Sequence, residues 1–201
     1  MSPSCFTYGL MVSRPDKPDI SVTIQNIVAS VTTGETINLQ DVLRAFPEAE
    51  YRPKIFPGLC LRLKKPKTAT LIFNSGRMVC TGAKSVKEVE RAVNKVLRGL
   101  RQEGIITKGK PEIEVQNIVA SAILGGEIDL EKAAYSLGRT MYEPEQFPGA
   151  IYRMSDPKVV ILIFAQGKLV ITGAKKEEEP FQAAKGLRNT LEENELIYYG
   201  E

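Results

Sequence analysis

The sequence predicts an α+β fold in which two pseudo-symmetric repeats share one continuous antiparallel sheet, with helices on one face. Three observations predict it. First, Gln25 to Ser30, Phe56 to Gly58 and Leu71 to Lys84 recur as Gln116 to Ser121, Phe147 to Gly149 and Leu162 to Lys175, each 91 positions later with no insertion or deletion. A repeat of that length is too long for a solenoid unit and reads as a duplicated half-domain about a pseudo-two-fold axis. Second, each copy holds several short runs of alternating apolar residues separated by turn residues, the pattern of antiparallel strands. Third, each copy offers one long and one short amphipathic helix, enough to cover one sheet face and no more. Residues 20–110 form the first repeat and residues 111–201 the second. Met1 to Asp19, with three prolines and no basic start before an apolar core, reads as a flexible leader rather than a secretory signal.

In the first repeat, Ile20, Val22, Ile24, Asn26 and Val28 share one parity and Ile27 and Ala29 the other, so this strand is apolar on both faces. Gly34 breaks it. Asn38 is placed to cap a short helix whose Leu39, Val42, Leu43 and Phe46 fall at helical spacing, and Pro47 ends it. Phe56-Pro57-Gly58 is a turn, and Leu59, Leu61 and Leu63 alternate with Cys60, Arg62 and Lys64 as a strand. Thr68 to Phe73 and Arg77 to Thr81 form a hairpin through Asn74-Ser75-Gly76. Ser85 and Glu88 make a capping box for a long helix whose Val86, Val89, Val93, Val96, Leu97 and Leu100 form one apolar stripe ending near Gly104.

The second repeat follows the same order after the linker Ile105 to Pro111. Asp129 takes the cap position, and Leu130, Ala133, Ala134 and Leu137 supply the short helix. Ile151, Arg153 and Val159 to Phe164 lie on strands. Glu177, Glu178 and Glu179 precede Pro180 at the positive end of the last helix, whose Phe181, Ala184, Leu187 and Leu191 face inward.

Composition narrows the function. The chain has 201 residues, 43% hydrophobic, and its apolar runs fall far short of the roughly 18 residues that a membrane span needs. Three cysteines without metal-ligand spacing read as reduced structural thiols of an intracellular protein. Histidine is absent, which removes the commonest acid/base catalyst and transition-metal ligand. No catalytic residue, metal site or cofactor is therefore expected. The net charge is only +3, yet residues 20–110 hold 16 Lys and Arg against 7 Asp and Glu, and residues 111–201 hold 9 against 15. One half suits a polyanion, and the other could receive a basic protein.

With helices on one face, the opposite face is wet. By alternation that face carries Val28, Leu71, Phe73, Val79 and Thr81, repeated as Val119, Leu162, Phe164, Val170 and Thr172. An apolar surface of that extent marks a binding site.

The duplicated Gln-Asn-Ile-Val-Ala-Ser, the Tyr-x-Pro-x-x-Phe-Pro-Gly at Tyr51 to Gly58 and Tyr142 to Gly149, and the duplicated Leu-Ile-Phe…Thr-Gly-Ala-Lys resemble the TATA-box-binding protein family. The resemblance runs from residue 20 to about residue 197 and looks more like an archaeal-type member than a eukaryotic one. It implies a saddle: a curved antiparallel sheet with its concave face on the DNA minor groove and four helices on the convex side, a family that serves as a standard example of minor-groove kinking.

On the resemblance, Asn26 and Asn117 sit at the pseudo-two-fold centre and donate to the acceptors that line an A·T minor groove. Val28, Val119, Leu71, Leu162, Val79, Val170, Thr81 and Thr172 form an apolar floor that leaves a guanine amino group unpaired. Phe56 with Phe73, and Phe147 with Phe164, each 17 residues apart, match the wedges that enter base steps at the two ends. Arg62, Arg153, Ser75, Arg77, Lys168, Lys84 and Lys175 are the phosphate candidates, positioning rather than specifying. Glu143, Glu145 and Gln146 match the surface that receives transcription factor B.

The implied function is a general transcription initiation factor that kinks promoter DNA and recruits transcription factor B and, indirectly, RNA polymerase. It implies no membrane partner, and self-association through the apolar face when DNA is absent. The compartment is the cytoplasm with its nucleoid for an archaeal member and the nucleus for a eukaryotic one. The alternative is a saddle serving as a protein-binding scaffold, or as an accessory domain of a nucleic-acid enzyme such as certain glycosylases. The enzyme version needs a catalytic segment, and the repeats leave none over. The scaffold version does not explain paired Asn at the centre with paired Phe at the ends.

Overall fold

The computed structural model describes residues 17–107 and 109–200. The flexible-leader expectation falls mainly on residues 1–16, outside the described residues. The first repeat runs β1 (Ser21–Thr32), α1 (Leu39–Ala45), β2 (Glu50–Tyr51), β3 (Leu59–Leu63), β4 (Thr68–Ile72), β5 (Arg77–Ala83) and α2 (Val86–Gln102). The second runs β6 (Glu112–Ile123), β7 (Glu127–Ile128), α3 (Leu130–Ser136), β8 (Thr140–Met141), β9 (Ala150–Met154), β10 (Val159–Ile163), β11 (Lys168–Ala174), α4 (Glu179–Glu193) and β12 (Ile197–Tyr198). No helix among the described residues is long and apolar enough to cross a membrane.

Ten strands form one antiparallel sheet in the order β2-β3-β4-β5-β1-β6-β11-β10-β9-β8. The order reads alike from either end, as the duplication requires. β1 and β6 pair along their length with Ile27 opposite Ile118, so the pseudo-dyad passes between those two residues. The core lies under the helices. Val89, Val93, Val96, Leu97 and Leu100 of α2 are buried against one half, and Ala183, Ala184, Leu187 and Leu191 of α4 against the other. Burying each of the large side chains contributes up to about 1.5–3 kcal/mol.

The caps follow the sequence with two changes. Asn38 accepts from the Gln40 amide and Asp129 from the Lys132 amide. Ser85 accepts from the Glu88 amide at 3.2 Å, and the Glu88 carboxylate accepts from the Lys84 amide at 2.9 Å. The first change concerns Glu177. It reaches across the dyad and accepts from the Val86 amide at 2.9 Å, so a carboxylate of the second repeat caps α2 of the first. Glu178, at the start of α4, makes no side-chain cap. The second change concerns Phe181, expected inward but 49% exposed. The buried residues of α4 are Pro180, Ala183, Ala184, Leu187, Arg188 and Leu191, and Phe181, in its first turn, is left out of that stripe. Phe46 similarly lies just past the end of α1 rather than within it.

The approach to each central strand is strapped to the end of a long helix. Arg101 donates to the Gly109 carbonyl at 2.8 Å. Arg188, almost fully buried, donates to the Pro18 carbonyl at 2.6 Å. Pro18 and Gly109 are themselves 91 residues apart. Around Arg188, Glu192 accepts from Arg188, Lys17 and the Tyr199 hydroxyl, and the guanidinium lies 5.3 Å from the Tyr199 ring centre. These donors, Lys17 foremost, hold the Glu192 carboxyl at about 2 against an ordinary 4.5. A depressed carboxyl stabilises the fold above its unfolded value, and that stability is lost as pH falls toward the folded value. Melting temperature is therefore expected to fall between pH 4.5 and pH 2 more steeply for the natural chain than for Glu192→Gln. Parallel slopes for the two proteins would show that this cluster contributes nothing.

Cys80 is buried and free, and Cys60 is free and half-buried. Burial pushes the Cys80 thiol up, as suits a structural thiol. Cys5 lies outside the described residues.

Candidate nucleic-acid interface

The face of the sheet away from the helices is built from cross-strand rows. Leu71 of β4 lies opposite Val79 of β5, and Val79 opposite Ser30 of β1. In the second repeat Leu162 lies opposite Val170, and Val170 opposite Ser121. A second row runs Arg62, Ala69, Thr81, matched by Arg153, Val160, Thr172. Leu71, Val79, Thr81, Val28 and their four counterparts are all half-buried while their sequence neighbours on the helix side are buried. The predicted floor is thus one continuous surface.

The two asparagines lie beside the dyad, Asn26 opposite Val119 and Asn117 opposite Val28. One change from the sequence reading puts them there. Val22, Ile24, Ile113 and Val115 pack against the core, although Ile24 and Asn26 share a parity. The β1–β6 register shifts between Ile24 and Asn26, and again between Val28 and Ala29. Each shift is a bulge that seats one extra residue, Gln25 or Gln116, and turns the strand over. Gln25 donates to Ser121 Oγ and Gln116 to Ser30 Oγ, both at 2.8 Å, so these glutamines lie on the open face too.

The asparagine amides are oriented. The Gly82 amide donates to Asn26 Oδ1, and the Gly173 amide to Asn117 Oδ1, each at 2.7 Å. A backbone N–H can only donate, so the atom facing it is the oxygen, and the other amide atom is the NH₂ group. The Thr81 hydroxyl adds a bond to Asn26 Oδ1 at 3.2 Å, and the Asn117 NH₂ donates to Thr172 Oγ1 at 3.3 Å. Gly82 and Gly173 have φ of +98° and +96°, which side chains resist.

At each end two phenylalanines form an edge-to-face pair. Phe56 and Phe73 have ring centres 5.8 Å apart at 67°, and Phe147 and Phe164 have 5.8 Å at 63°. Gly58 does more than turn the chain: a methyl group there would lie 2.7 Å from the Phe56 ring and 2.9 Å from that of Phe73. Gly149 stands in the same relation to its own pair. The turn before each ring is closed by backbone bonds, from the Phe56 amide to the Arg52 carbonyl and from the Phe147 amide to that of Glu143. Phe56 is 40% exposed.

Arg62, Arg77, Arg153, Lys168, Lys84, Lys175 and Ser75 are all exposed. Arg77 and Ser75 line a hollow with Phe73 and Val79, and Lys168 lines its counterpart with Phe164 and Val170. Arg62 is also 3.7 Å from Glu50, a pairing between two exposed groups that adds little stability. Glu143, Glu145 and Gln146 are exposed on the turn that carries Phe147. The residues that sequence reasoning left out of the site are Gln25, Gln116, Ser30, Ser121 and Glu114. The adjacent polar pair Gln25-Asn26 inside an alternating run was the available signal, since two polar neighbours cannot both face one side without a bulge.

The family model described as Transcription factor TFIID (or TATA-binding protein, TBP) matches the chain twice, at residues 21–103 and 112–194. A TATA-box-binding protein of Sulfurisphaera tokodaii is 52% identical over 188 residues, 93% of this chain and 95% of the relative. One from Archaeoglobus fulgidus is 47% identical over 175 residues, 86% and 96% of the two chains. The solved structure of Methanococcus jannaschii TBP superposes with a TM-score of 0.78 at 49% identity, covering 86% of this chain and 98% of that one.

Proposed function

Because the chain belongs to the TATA-box-binding protein family, we propose that as a general transcription initiation factor it seats its open face in the minor groove of A/T-rich promoter DNA. The observation that carries this reading is the pair of central amides, each with its oxygen held by a backbone N–H, which leaves the NH₂ groups as the donors that an A·T groove can take. A·T pairs show only acceptors in that groove, and guanine adds the one donor. Two fixed donors in an apolar surface match the first and penalise the second.

Each phenylalanine pair enters a base step at its end of the floor and kinks the duplex there. The ring stacking offsets an unstacking cost of a few kcal/mol. The six exposed cations among the rim candidates take phosphates and fix register. The turn bearing Glu143 and Glu145 receives transcription factor B, which brings RNA polymerase. Lys54 and Arg52 hold the matching positions at the other end, so only one end offers a basic partner this charge. Without DNA, the same floor is open to a second copy. The protein works by binding and shaping rather than by catalysis, in the cytoplasm with its nucleoid, where an archaeal-type member meets its DNA.

The test is affinity for an A/T-rich duplex against the same duplex with two central G·C pairs, over several salt concentrations. At least a tenfold preference for the first is expected, from about 1–3 kcal/mol per mismatched pair. With six cations on phosphates, log K should fall against log salt with a slope of about −5. Equal affinities for the two duplexes would overturn the proposal.

A further inference from the structure

The open face carries two hollows beside the phenylalanine pairs, related by the repeat and nearly equal in size, about 590 Å³ in the first and about 580 Å³ in the second. Their chemistry differs. Thr32 in the first corresponds to Ile123 in the second, and Ser75 to Gln166, while Ala165 lines the second alone. The largest difference is a charge. Glu114 lines the first hollow and is opposite Ser30, so the floor row Leu71, Val79, Ser30 ends on a carboxylate. The matching row Leu162, Val170, Ser121 ends on Thr23.

The carboxylate is drawn inward. Gln116 Nε2 donates to Glu114 Oε2 at 2.9 Å and to Ser30 Oγ at 2.8 Å, so one central amide tethers the acid to the floor. Gln25 makes only the bond to Ser121 in the opposite hollow. A carboxylate accepts and does not donate. Over an A·T pair it meets acceptors and loses hydration without return. The guanine N2 amino group is the sole minor-groove donor, and it satisfies such an oxygen.

Resting on the minor-groove reading above, we propose that Glu114 is a specificity-determining residue: it accepts the N2 amino group of a guanine at the first-repeat end, while the Ile123 hollow excludes that group. The protein then tolerates one G·C pair at one end of its site and orients itself to place it there. A G·C pair at each end forces one guanine amine against Ile123.

Five duplexes test this: all A·T, G·C at one terminal position, G·C at both, and each G·C version with inosine, which lacks the amino group. The single-end duplex is expected within about threefold of the all-A·T duplex, and the double-end duplex at least tenfold weaker than the single-end one. Inosine should abolish both differences. Glu114→Thr should make the single-end duplex about tenfold weaker and the all-A·T duplex tighter, since the unpaired carboxylate no longer loses its hydration there. Thr23→Glu, with the natural Glu114 kept, should relieve the double-end duplex. Glu114 and Thr23 are both exposed strand residues, and folding of either variant is checked by its melting curve. The proposal is overturned if Glu114→Thr changes affinity by one factor on every duplex, or if the two G·C pairs cost equal steps. If no duplex shows an A·T preference, the minor-groove reading fails, and this one with it.

Discussion

Replacing Asn26 and Asn117 together with aspartate should weaken binding to an A/T-rich duplex roughly a thousandfold while leaving the melting temperature nearly unchanged. The two outcomes separate because each amide has one atom for the fold and one for the ligand. Oδ1 is occupied by the Gly82 or Gly173 amide at 2.7 Å, and aspartate keeps that acceptor. The NH₂ group is what disappears, and a charged oxygen takes its place against adenine N3 and thymine O2. A lost donor pair of this kind costs about 2 kcal/mol per site, and two sites compound to nearly three orders of magnitude. Measured by anisotropy at fixed salt, a loss below tenfold would show that the amides do not face the bases. A large fall in melting temperature would show that the bonds to Gly82 and Gly173 do not survive the added charge.

The second large effect is on DNA shape rather than encounter. With Phe147→Ala or Phe164→Ala, end-to-end fluorescence transfer across a labelled duplex should lose about half its bending signal. The association rate should stay within about threefold, since steering comes from the cations. The complex should dissociate at least tenfold faster, because opening a step costs a few kcal/mol that stacking no longer offsets. Either substitution disarms its end, because the rings brace one another edge to face at 5.8 Å. Such a pair is worth about 0.5–1.5 kcal/mol beyond burial. Phe56→Ala and Phe73→Ala serve as the companion pair at the other end. Bending that survives the loss of Phe164 would remove the wedge from the proposal.

The duplication makes much of the fold and the floor legible in the amino-acid sequence. Because Leu71 to Lys84 returns at Leu162 with its alternation kept, the pattern in one copy can be checked against the other, and the floor residues lie on one face. The misreadings share a cause: pairing partners are not local. Ile24 and Asn26 share a parity, and only the register with β6 reveals the bulge that separates their faces. The strands of two residues, such as β7 and β12, exist only as each other's partners. Phe181 resembles a core residue because its spacing to Ala184 fits a helix, but in the first turn of α4 its side chain is left exposed while Ala184, Leu187 and Leu191 are buried. Glu177 cannot be assigned to α2 from sequence, since the helix residue it caps lies 91 positions away.

The straps at Pro18 and Gly109 bear on how the chain is threaded. Lys17 and Tyr199 meet on one carboxylate, Glu192, in the place where the other half has an unbroken connection from α2 to β6. The fold therefore has two equivalent seams, one covalent and one held by an arginine, a lysine and a tyrosine. Which seam carries the peptide bond is a matter of gene order rather than of packing: a circular permutation that links Lys17 to Gly200 and opens the chain near Gly109 leaves every strand with the neighbours it has now.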